Sequence, residues 1–135
     1  MARPGTIGKA GNGEPLPSGK LPVKILGRLL RKYASAAPGL VVGPSIGIDA
    51  AILNINGTLI AAKADPITFV SKNSGEYAVY VNANDIAVMG GTPKWFLATI
   101  LLPAADATAE TARLIFSQVR EACDDVGALL SGGHT

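Results

Sequence analysis

Residues 46–67 read IGIDAAILNINGTLIAAKADPI, and the reading of this stretch decides the fold. Two apolar runs rich in β-branched residues, Ile46 to Ile55 and Thr58 to Ile67, flank Asn56-Gly57. Asn and Gly both tolerate positive φ. The dipeptide between such runs therefore predicts a tight hairpin, and hence an antiparallel strand pair.

The flanking sequence supplies the other layer. Upstream, Pro22 suits a first helical turn, where its missing N–H would go unpaired anyway. Ile25, Leu26, Leu29, Leu30 and Tyr33 then recur at helical spacing until Pro38-Gly39. Downstream, Gly75 to Met89 predicts a helix stopped by Gly90-Gly91, and Lys94 to Leu102 a strand stopped by Pro103. Thr108 to Val126 predicts the clearest helix, with Ala112, Ile115, Phe116, Val119, Cys123 and Val126 on one apolar face. Ala128 to Ser131 opens a fourth strand before Gly132-Gly133-His134-Thr135. The order predicts an α+β domain over residues 21–135, a four-stranded mixed sheet with helices packed on one face. Residues 1–20 show no hydrophobic period and read as a flexible Gly/Pro-rich arm. A chain stopping at a Gly-Gly turn after an apolar strand is expected to end at, or just before, a domain boundary.

Composition narrows the function classes. With 48% apolar and 16% charged residues in 135, the chain can bury one core and is not intrinsically disordered. A net charge of +2, with only Arg28, Arg31 and Lys32 clustered, argues against a nucleic-acid partner. Cys123 is the single cysteine, which excludes an internal disulfide and a cysteine-based metal site; its helical position predicts a buried thiol. No apolar run approaches the roughly 20 residues of a membrane span, and the N-terminus lacks the apolar segment of a signal peptide, so a cytoplasmic protein is expected.

Three carboxylates stand in apolar surroundings: Asp49 in Gly47-Ile48-Asp49-Ala50-Ala51, Asp65 in Lys63-Ala64-Asp65-Pro66, and Asp85 after Asn84 in a helix of Ala, Val, Ile and Met. A buried carboxylate costs several kcal/mol unless something pairs with it. Taken singly, each fits a structural role such as a turn cap. Taken together, they suggest Mg²⁺, which prefers one or two carboxylates plus phosphates and water. The run Gly13 to Lys20 is not a P-loop. Five residues separate Gly13 from Gly19, and Leu21 stands where Ser or Thr is required. Nothing offers a Ser/His/Asp or Cys/His layout, and His134 is the only histidine.

These motifs together resemble the AIR synthase (PurM)-like ATP-binding superfamily. Gly47 to Leu53 is similar to its GxDAAVL segment, Ala64-Asp65 to its T-D step, Val81 to Pro93 to its VNDLAxMGAxP helix, and Ser131 to Thr135 to its GGDT/GGHT step. Within the superfamily, Gly19-Lys20-Leu21-Pro22 and Gly47 to Ala51 look most like the hydrogenase-maturation protein HypE and its relatives. The resemblance implies a homodimer whose sheets join into a barrel, with Mg-ATP near the interface. It implies Asp49, Asp65 and Asp85 as metal and phosphate ligands, Asn84 orienting them, and Lys20 closing over phosphates. The implied chemistry is activation of an amide-type or related oxygen by phosphorylation, completed by a C-terminal domain or separate subunit. Two other outcomes stay open: a dimerising module of the same fold that binds no nucleotide, and half of a small-molecule kinase or selenophosphate-type synthase. Ile48 replaces one member of the paired acidic residues found in many relatives.

Overall fold

The computed structural model describes residues 15–68, 72–105 and 107–135. The elements run α1 (Val23–Tyr33), β1 (Leu40–Val42), β2 (Ala51–Ile55), β3 (Thr58–Ala62), α2 (Ser74–Val88), β4 (Trp95–Thr99), α3 (Ala109–Asp125) and β5 (Leu129–His134). Of the expected N-terminal arm, residues 1–14 lie outside the described residues, and residues 15–20 are exposed.

The Asn-Gly hairpin forms as expected. Asn56 and Gly57 take φ of 52° and 89°, and the Gly57 N–H donates to the Asn54 side-chain oxygen at 2.8 Å. The register runs from Ile55 opposite Thr58 back to Ala51 opposite Ala62. The first run is shorter than its apolar sequence suggests. A turn closed by the Ile48 N–H on the Ser45 carbonyl (3.3 Å) interrupts it before Ala51.

The four-stranded mixed sheet is corrected to two smaller sheets. β1-β2-β3 is antiparallel, and β4-β5 is a parallel pair. A parallel pair needs a crossover connection, which α3 provides, so β4 finds its neighbour in β5 and not in the hairpin. The added strand β1 has three residues, too few to carry a period.

The core lies between the two long helices and the parallel pair. Val79 of α2 and Val119, Ala122 and Cys123 of α3 are buried, with Phe96, Ile115, Val126 and Leu130 packed against them. The expectation of a buried thiol at Cys123 therefore holds. α2 packs on α3 along one flank and meets the segment after β3 through Asn82 and Asp85, while Tyr77, Tyr80 and Val88 stay exposed.

Two glycines mark close approaches. A Cβ on Gly75 would lie 2.7 Å from both the Gln118 Cβ and the Ile115 carbonyl oxygen, so α2 touches α3 almost backbone to backbone there. Gln118, only 8% exposed, accepts from the Gly75 N–H at 3.2 Å and donates to the Lys72 carbonyl at 2.6 Å. It thereby satisfies the start of α2, where Asn73 makes no side-chain cap. In β5 the register slips by one residue at Ser131, and Gly133, at φ +149°, lies so close to Ala98 that a Cβ would overlap the Ala98 backbone. Among the described residues no helix is long and apolar enough to cross a membrane.

Substituting Gly75→Ala is expected to push the helices apart and to lower the unfolding free energy by about 1–3 kcal/mol, the usual cost of overpacking. Urea denaturation of the variant beside the parent measures it. An unchanged midpoint would show that the helix contact is looser than described.

Candidate anion and cation site

Hairpin pairing sets the beginning of β2 beside the end of β3. Asp49, two residues before β2, is thereby brought to the same end as Lys63 and Asp65, which follow β3. α2 supplies the remaining side chains. Asn82 and Asp85 are three residues apart and share one helix face.

Asn82 latches the two elements together. Its side-chain oxygen accepts the Asp65 backbone N–H at 2.8 Å. Its amide nitrogen donates to the Asp65 carbonyl at 3.0 Å and to the Ala78 carbonyl at 2.8 Å. This leaves the Asp65 carboxylate directed by a fixed backbone, with the side chain 45% exposed.

Lys63 is the centre of the group. Its ammonium lies 2.6 Å from an Asp85 carboxylate oxygen and 3.8 Å from one of Asp65, with only 17% of its side chain exposed. The hydrogen bond to Asp85 raises its pKa above the ordinary lysine value. Partial burial opposes that shift, and the charges of Asp65, Asp85 and Asp49 reinforce it. Two of the three predicted aspartates, Asp65 and Asp85, thus pair with one cation that belongs to the chain, and Asp49 stands at the same hairpin end. Three carboxylates against one ammonium leave a formal excess of negative charge.

The other expected residues are placed differently. Asn84 is one step round α2 and lines an open hollow with Tyr80, Ala87, Pro93 and Val126. The asparagine that positions an aspartate is therefore Asn82. Lys20 is exposed on the approach to α1. His134 and Thr135 line a second hollow of about 360 Å³ with Ala98, Ile100 and Phe116, at the end of β5. Among the described residues no three His, Cys, Asp or Glu side chains form a ready metal cage. Lys63 and Asn82 stand within the Lys63-to-Pro66 and Val81-to-Pro93 motifs, yet neither residue stands out in the sequence. The signals available were the register counted outward from the turn, which sets Lys63 at the Asp49 end, and the helical spacing of Asn82 and Asp85.

Comparison with known proteins adds the following. The family described as AIR synthase related protein, N-terminal domain, matches residues 47–135. Selenide, water dikinase of Haemophilus ducreyi is 34% identical over 122 residues, covering 86% of this chain and 35% of that protein. The enzyme of the same description from Sulfurimonas denitrificans is 31% identical over 122 residues, covering 86% and 36%. The chain thus spans about a third of the length of these relatives. The solved structure of AaThiL complexed with AMPPCP and TMP superposes with a TM-score of 0.62 at 21% identity, over 87% of this chain and 40% of that one. Thiamine monophosphate kinase from Aquifex aeolicus gives 0.56 at 18% identity, over 82% and 36%. These two likenesses show a shared fold.

The charged and buried groups set an alkaline limit. Lys63, Tyr80 (hydrogen-bonded to Asp125) and Cys123 (buried) all have raised pKa values. Each holds its proton more tightly folded than unfolded. Its contribution is complete below its ordinary pKa and is lost as pH rises through the higher folded value. The ordinary values are 9.0 for Cys, 10.0 for Tyr and 10.5 for Lys, so the melting temperature is expected to fall above about pH 9. A melting series from pH 7 to 11 checks this; a curve that kept rising through that range would contradict the direction of all three shifts.

Proposed function

We propose, for a chain that belongs to the AIR synthase related family, that it is the Mg-ATP-binding half of an ATP-dependent enzyme that activates an acceptor oxygen by phosphorylation. The observation that carries this reading is the meeting of Asp65 and Asp85 on Lys63 at the hairpin end that also carries Asp49, with Asp65 fixed by Asn82. The donor set fits the group. Mg²⁺ takes only one or two carboxylates and completes its shell with phosphate and water, so a full protein cage is not required. Asp65 and Asp85 would hold the metal with Asp49 beside them, and Lys63 offers a cation for phosphate oxygens. Lys20, with the Gly/Pro-rich arm, would close over the phosphates. When bound, Mg-ATP would supply the transferable phosphoryl group. The chain's own part is to fix carboxylate positions in advance, which is where catalysis of phosphoryl transfer mostly resides. AMPPCP in the AaThiL complex is an analogue of ATP, which supports the nucleotide class.

The acceptor is a finer matter. Gly19 to Pro22 and Gly47 to Ala51 support the hydrogenase-maturation branch, whereas the selenide, water dikinase relatives support a kinase-type transfer to a small inorganic or organic acceptor. Acceptor recognition would require a C-terminal domain or a separate subunit. Partnership is expected to be homodimeric through sheet pairing. Trp95, Leu97 and Leu129, 67%, 71% and 64% exposed, form an apolar outer face on β4-β5 that water alone does not suit. A second reading, a dimerising module without nucleotide, is favoured by the Lys63–Asp85 ion pair, which already satisfies one carboxylate.

Calorimetric titration with ATP, with and without Mg²⁺, separates the two. Mg-dependent binding is expected, weakened about tenfold or more (~1.4 kcal/mol) in Asp65→Asn and in Asp85→Asn. Full affinity in both variants would remove the aspartates from the site, and a dimer indifferent to Mg-ATP would establish the module. Sedimentation is expected to show a dimer that Leu97→Lys dissociates; a parent protein that is monomeric at tens of micromolar would refute sheet pairing.

A further inference from the structure

Lys63 occupies the place where a divalent cation would have to act. It bonds Asp85 at 2.6 Å, reaches toward Asp65 at 3.8 Å, and is the one cation among the described residues that forms an ion pair with either. A bare metal ion entering the group must take a carboxylate away from this ammonium. The lysine side chain is only 17% exposed, and a partly buried charge stripped of its partner is costly. A metal ion arriving with a nucleotide meets no such cost, because the phosphates give the displaced ammonium a new anionic partner of the kind lysine binds well.

We propose that Lys63 is a tethered counter-ion that couples the two ligands of this site: it competes with a divalent cation for Asp85 and Asp65, and it yields them only when a nucleotide phosphate is there to receive its ammonium. Lys63 is thus a positioning and specificity-determining residue. It makes the metal affinity conditional on a nucleoside di- or triphosphate, and it disfavours idle loading with metal alone. The inference deepens, and rests on, the reading of this end of the hairpin as a Mg-nucleotide site. By linkage, the factor by which nucleotide tightens metal binding must equal the factor by which metal tightens nucleotide binding. Both should shrink together when Lys63 loses its charge.

The test counts free Mn²⁺ by electron paramagnetic resonance during titration of the 135-residue chain, with and without ADP, in the parent and in Lys63→Met. The parent is expected to bind Mn²⁺ weakly alone and about tenfold or more tightly with ADP, within the usual range of coupling between sites. Lys63→Met is expected to bind Mn²⁺ alone about tenfold more tightly than the parent and to show little further gain from ADP. Lys63→Gln, which can still hydrogen-bond Asp85, guards against misfolding of the first variant and carries the same expectation. Lys63→Arg should keep the parent's coupling. Adding Asp85→Asn to Lys63→Met should abolish the gain in Mn²⁺ affinity. If the parent binds Mn-ADP but the uncharged variants bind Mn²⁺ alone no better than it does, the counter-ion role is overturned and the nucleotide site stands. If the uncharged variants gain Mn²⁺ affinity while no protein responds to ADP, the competition with metal stands but the coupling to nucleotide, and the nucleotide reading with it, is overturned. Binding of neither ligand by any variant overturns both.

Discussion

Asn82 grips the backbone of Asp65 from both sides, accepting its N–H and donating to its carbonyl, and the geometry of the site depends on that grip. Among the described residues, the segment that follows β3 has no strand partner of its own. Left to itself, its backbone would be satisfied by water and could take many paths. A side-chain amide presents a donor and an acceptor at the spacing of a peptide group, so α2 pairs with Asp65 much as a neighbouring strand would. The same helix then delivers Asp85 to Lys63, one turn further on. The helix–strand junction is held by directional bonds as well as by packing. That is what a site needs if its carboxylates are to stand in fixed positions before a ligand arrives.

Much of this was legible in the sequence, for reasons that differ between elements. The hairpin could be read because Asn56-Gly57 admits few alternatives to the tight turn that it makes. α3 could be read because its apolar face repeats over 17 residues and Thr108 caps it, accepting the Thr111 N–H. β1 could not be read, because three residues carry no period. The pairing of β4 with β5 alone is a long-range choice, made by the packing of α3 and by the close approach of Gly133 to Ala98, and neither is visible locally. At the site, the aspartates were conspicuous because charge in apolar sequence demands an explanation. Lys63 is inconspicuous for the opposite reason: a lysine at a strand end is ordinary until the register shows what stands around it. Asn82 and Asn84 look alike on paper and stand on opposite sides of the helix, about 200° apart, so only the packed structure says which of them faces β3.

The two sheets divide the labour. The antiparallel one aims its hairpin end at α2 and gathers charge there. The parallel pair, with α3 across its inner side, makes the core. Gln118 bridges these regions from within, because the bonds that satisfy the first turn of α2 come from α3. The start of the helix that carries Asn82 and Asp85 is thus tied directly to α3.

The sole tryptophan of the sequence is Trp95, and it stands on the outer face of β4, two-thirds exposed. An indole in water emits at long wavelength, and the same indole shielded from water emits further to the blue. With no second tryptophan to obscure it, the intrinsic fluorescence of the chain is a direct optical record of whether that face is wet or covered. The molecule thus carries a built-in gauge of that face, readable at concentrations far below those that calorimetry needs and without any label attached.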